Sequence, residues 1–136
     1  MKITKEMKIT IEVIPHLTQR YNTCGDWKID SEGNINIKIS EMPKTGPKGE
    51  MAVALHELTE VMLCILRGIT QREVDEFDLT YDGNDEPGDD PEAPYCQEHS
   101  VATGIERIFA SEAGIVWKNY EAELNQMTED YNEQRR

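Results

Sequence analysis

The run PKGEMAVALHELTEVMLCILRG, residues 47–68, constrains the chain more than any other stretch. It opens on Pro47, closes on Gly68 and has only Gly49 as an internal weak point, so it reads as one helix of about six turns. Met51, Ala54, Leu55, Leu58, Val61, Met62 and Ile65 recur along it at helical spacing and form the expected core stripe. His56 and Glu60 stand one above the other on the face turned away from that stripe, with Glu57 beside them. Val53 and Leu63 flank the same polar face, so the helix is expected to be covered on both sides, with its polar residues kept where a cleft opens.

Side chains four apart on a helix can grip one ion between them. The pattern is that of the His-Glu-x-x-His helix, in which two ligands hold zinc and the Glu is general base, except that Glu60 supplies a carboxylate as the second ligand. A catalytic zinc takes three protein ligands and leaves one position open, so a third must come from another element. A second amphipathic helix is expected over residues 95–110, with Val101, Ile105, Ile108 and Phe109 as its core stripe and His99, Ala102 and Glu106 on one flank. His99 is the best candidate for the third ligand, with Cys96 and Glu106 as rivals or supporting groups; the remaining histidine is His16, before the hairpin. Zinc is the expected metal, although two histidines and a carboxylate also suit other divalent ions. The plainer reading is a solvated helix face and a hydrogen-bonded boundary histidine.

Composition limits what such a motif can serve. The 136 residues suit one domain, 1–136, and 27 acidic against 14 basic residues give a net charge of −13. That field repels nucleic acid and anionic lipid. The apolar runs are shorter than the roughly 20 residues of a bilayer span, and MKITKEMKIT lacks a signal peptide's apolar core, so the expected setting is cytoplasmic, without membrane or nucleic-acid partners. Cys24, Cys64 and Cys96 give no disulfide framework; Cys64 is expected to pack as a small hydrophobe.

The fold class expected is α+β. Residues 7–13, 26–30 and 34–39 read as strands of a small antiparallel sheet, the last two a hairpin about Ser31-Glu32-Gly33, with Ile35, Ile37 and Ile39 on the one buried face. Gly68 reads as a left-handed helix cap, and Thr70 with Glu73 as a capping box opening a short element. The acidic loop 82–92 follows. Its Asp82, Asn84 and Glu86 have calcium-loop spacing, but Pro87 stands where an EF-hand needs its turn glycine. Val116, Trp117, Tyr120, Leu124, Met127 and Tyr131 mark a last core-packing helix, with the end, about 128–136, expected to fray.

Hairpin, HELTE helix and a downstream helix carrying EHSVATGIER together resemble a minimal zincin-type metallopeptidase fold over roughly residues 20–110, and the overall pattern resembles small uncharacterised proteins of bacteriophages and prophages. The resemblance implies a metal held by His56, Glu60 and His99, Glu57 as the base that activates water, and Ile35 to Ile39 as an edge strand that binds extended peptide. Three functions follow: a zinc-dependent hydrolase, most simply a peptidase; a non-catalytic metal-binding or apo protein that binds a peptide or protein partner; and a MazG-like, magnesium-dependent nucleotide pyrophosphohydrolase, since Glu57 and Glu60 resemble half of its acidic helix. No feature fixes the oligomeric state.

Overall fold

Alternating isoleucines build the sheet at the centre of the computed structural model, which describes residues 6–83 and 86–134; Asn84 of the calcium-like spacing lies outside them. Strand β1 is Ile9–Ile14, β2 Gly25–Ile29 and β3 Ile35–Ser40. β2 and β3 form the expected hairpin, with Trp27 opposite Ile37. Asp30 Oδ1 accepts from the amides of Glu32 and Asn34, both at 2.9 Å, and Gly33 turns the chain at φ 85. Ile35, Ile37 and Ile39 are at most 1% exposed, whereas Lys38 between them faces out, so one face of the hairpin is buried as expected.

The sheet is mixed rather than antiparallel throughout. Its order is β1-β3-β2, with β1 parallel to β3 in the register Ile9 with Ile35. Residues 15–24 leave β1 and enter β2 at the same end of the sheet, so those two strands oppose each other while β3 lies between them. Gln19 pins this crossing segment by donating to the Lys38 carbonyl at 3.2 Å and the Ser40 hydroxyl at 3.1 Å. Two expectations change. Ile35 to Ile39 form the central strand, not an edge, and β1 keeps Ile9, Ile11 and Val13 at 41–48% exposure because, among the described residues, no helix packs extensively against it.

Helices α1 (Pro47–Leu66), α2 (Gln71–Thr80), α3 (Cys96–Glu112) and α4 (Trp117–Gln134) supply the rest. Gly68 adopts φ 72 past the end of α1, and Thr70 and Glu73 form the capping box of α2. On α1 and α3 the buried faces differ in part from expectation. α1 buries Ala52, Val53, His56, Glu57, Glu60, Val61 and Cys64, while Met51, Met62 and Ile65 are exposed. α3 likewise buries Glu98, His99, Ala102, Glu106 and Ala110 and turns Val101, Ile105 and Ile108 outward. Ala52, Ala102 and Ala110 let the two helices approach, and their polar side chains become one another's partners, which offsets the cost of burying them. α4 packs through Tyr120, Met127 and Tyr131 and continues to Gln134, through the segment expected to fray, because the buried Tyr131 hydroxyl donates to the Gln19 carbonyl at 3.0 Å. No helix among the described residues is long and apolar enough to cross a membrane.

Candidate metal centre

The buried face of α1 meets that of α3 around three ligand-type atoms. His56 Nε2 lies 3.3 Å from Glu60 Oε2 and 3.2 Å from His99 Nδ1, and His99 Nδ1 lies 2.9 Å from Glu60 Oε2. Bonds of about 2.0–2.2 Å to a tetrahedral zinc place neighbouring ligand atoms roughly 3.3–3.5 Å apart, so the triangle is close to one face of such a site. His56, Glu60 and His99, each buried, could hold a metal ion together. These are the three residues the helical spacing pointed to, but they stand between helices rather than on a face turned away from the core. Cys96 takes no part in the cluster, and His16 is occupied elsewhere, between the Ser40 hydroxyl and the Met127 carbonyl at 2.8 Å each.

Two of the three ligands are also held from behind by hydrogen bonds. His56 Nδ1 donates to Glu106 Oε1 at 2.7 Å, which leaves the Nε2 lone pair facing the centre in the neutral ring, and Tyr120 donates to the other Glu106 oxygen at 2.5 Å. Trp27 Nε1 donates to Glu60 Oε1 at 3.0 Å, leaving Oε2 for the ion. His99 Nε2 faces Asp89 Oδ1 at 3.2 Å. Glu106, a rival ligand in the sequence, is thus a partner of His56. Trp27, Tyr120 and Asp89 were not found by sequence reasoning; Trp27 is simply a member of the 26–30 strand and Tyr120 an ordinary core aromatic of the last helix, and only their N–H and O–H groups mark them as more.

Two glycines make room for the site. A Cβ on Gly25 would lie 2.7 Å from Glu57 Cγ and 2.9 Å from Val53, and one on Gly88 would lie 2.4 Å from the His99 ring. Neither has the positive φ that signals a turn; both are places where the backbone closes on a site side chain.

Glu57 is 8% exposed, and its carboxylate lies 3.8 Å from His56 Nε2. Burial, reinforced by the Glu60 carboxylate, pushes its pKa well above the usual range. Burial opposes charge on His56 too, but Glu106 and Glu60 outweigh it and hold its pKa well above the ordinary imidazole value. His99 is raised as well, against burial, chiefly by Glu60. Glu60, for its part, falls to about 2 because the two histidines outweigh its burial. The centre opens on a cleft of 630 Å³ lined by Glu57, His56 and His99 from the two helices, Thr23 to Gly25 from the entry to β2, and Trp117 and Glu121 from α4. Asp78, Glu86 and Asp89 add carboxylates to its described lining, and no Lys or Arg does. No family model, curated protein sequence or solved structure matches the chain.

Proposed function

We propose that the chain is a zinc-dependent hydrolase acting on peptide bonds, with His56, Glu60 and His99 as ligands and Glu57 as general base. The observation that carries this reading is the hydrogen-bonded far side of two of the ligands, His56 by Glu106 and Glu60 by Trp27, which orients both toward the centre in the way metal ligands require, with the Asp89 carboxylate 3.2 Å from the far nitrogen of His99. Three protein ligands beside a cleft match a catalytic zinc, whereas a structural zinc takes four. A bound zinc ion supplies Lewis acidity and stabilises developing negative charge. Glu57 needs no role as a ligand; its carboxylate, 3.8 Å from His56 Nε2 and lining the cleft, stands where a group can take a proton from attacking water and pass it to the leaving amine.

The absence of basic groups from the described lining favours neutral or cationic peptides over acidic ones. Trp27 on β2 holds Glu60, which gives the hairpin a part in the site that the pyrophosphohydrolase reading does not offer it.

The test has two stages. Protein purified without a histidine tag is expected to carry about one zinc per chain and to cut members of a peptide library in a chelator-sensitive way. Glu57→Gln should then keep metal and thermal stability while lowering turnover by at least ~100-fold. Metal bound without any cleavage would leave a metal-stabilised interaction protein as the reading, and no metal at all would remove both.

A further inference from the structure

Much of the apolar stripes that a sequence reading assigns to the core stands on the outside, although Val61 is buried and Leu58 and Phe109 pack against the core. Met51, Leu55, Leu58, Met62 and Ile65 follow one another on α1 at steps of four, three, four and three, and Val101, Ile105 and Ile108 continue the same steps on α3. This is the 3.5-residue repeat of a helix seam that packs against another helix. Met51, Met62, Ile65, Leu66, Val101, Ile105 and Ile108 are 38–80% exposed.

The two seams share one face. α1 and α3 are antiparallel, since Glu60 meets His99, His56 meets Glu106, and Arg67 at the end of α1 pairs with Glu98 in the first turn of α3 at 2.6 Å. Glu57 on α1 and Thr103 on α3 both line the cleft. At 100° per residue the mean direction of the seam lies roughly 120° from Glu57 on α1 and roughly 170° from Thr103 on α3, so both turn away from the cleft.

We infer that this face is the interface of a two-fold dimer in which α1 and α3 of each copy complete a four-helix bundle. Two considerations select a second copy as the occupant. The seven exposed side chains present roughly 700 Å², more than the ~300–600 Å² of a monomer's largest patch and near the ~800 Å² per partner of a stable interface. Charge agrees with it. In a chain of net charge −13, the only acids between Met51 and Leu66 are Glu57 and Glu60, both buried on the opposite side, and the only acid between Val101 and Ile108 is the buried Glu106. The middle of the face therefore carries no carboxylate, and the exposed Glu112, one seam step beyond Ile108, stands at its edge. An antiparallel pair of helices with one open heptad face is half a bundle, and a second such pair completes it.

Analytical ultracentrifugation of the full chain at roughly 1 to 100 µM tests this. The expected mass is twice 15.6 kDa. Met62→Glu with Ile108→Glu should weaken the dimer at least ~100-fold, because four carboxylates would then be buried unpaired at the two-fold interface. Circular dichroism and metal content should stay as in the parent, since both side chains are exposed within the single chain. Ile11→Glu, on the exposed strand β1, should leave the dimer intact. A monomer across the whole range would overturn the inference, and so would a dimer that survives the double substitution or is dissociated by Ile11→Glu instead.

Discussion

His56 is held at one ring nitrogen by a carboxylate that is itself held by a phenol, and this chain of three sets how the other nitrogen faces its neighbours. Tyr120→Phe removes only the hydroxyl, so it should lower zinc affinity by about 10-fold without altering helicity. Competition with a chromophoric chelator measures this, and an unchanged affinity would show that Glu106 needs no anchor. The two close-approach glycines separate the roles of their neighbours. In Gly25→Ala the new methyl meets Glu57 and Val53, and the expected result is retained metal with turnover reduced at least ~10-fold by misplacement of the base. In Gly88→Ala the methyl meets the His99 ring, and metal affinity itself should fall. The same loss in both variants would mean that Glu57 and His99 do not have distinct parts.

Elements were legible in the sequence where local chemistry decides them, and less so where partners do. The hairpin about Gly33, the cap at Gly68, the Thr70–Glu73 box and the existence of α1, α3 and α4 all follow from turn residues and periodicity. The pairing of His56, Glu60 and His99 was legible from spacing and from the scarcity of histidine. The buried face of α4 was legible too, but those of α1 and α3 only in part, since Val61 is buried as expected while Met51, Met62, Ile65, Val101, Ile105 and Ile108 are not. Apolar periodicity reports a face that seeks cover without saying what supplies it, and here the closer packing goes to Ala52, Ala102 and Ala110 with a partnered polar set. The same limit shows in the sheet. Ile11 and Ile37 are register partners on one face, but Ile37 is 1% exposed beneath α1 and Ile11 is 48% exposed. Ile37→Ala should therefore cost about 2–5 kcal/mol in urea unfolding, and Ile11→Ala no more than about 0.5 kcal/mol. Equal costs would place a cover over β1.

At the scale of the whole molecule, a net charge of −13 coexists with a centre where Glu57, Glu60 and Glu106 are buried beside only two histidines. Protons stabilise such a centre when no metal does. His56 and His99 have pKa values raised by their carboxylate partners, so their contribution is complete below about pH 6.5 and is lost as pH rises through the folded values. Glu57, raised by burial, works in the same direction: the folded chain favours its protonated form, and stability falls as pH climbs past the unfolded value of about 4.5 toward the folded one. Glu60 has the opposite sign, because its pKa is lowered to about 2 and its contribution is lost as pH falls from about 4.5 toward that value. Metal-free protein should consequently be most stable near about pH 5 and lose thermal stability toward about pH 8. A zinc ion held by the two histidines would compete with their protons, so its affinity should rise with pH over the same interval. The increment in Tm on adding zinc to chelator-treated protein should then be larger at about pH 8 than at about pH 6, and calorimetry in two buffers of different ionisation enthalpy should register proton release on binding. A zinc increment that is flat across this range, with no proton released, would place the ion away from His56 and His99.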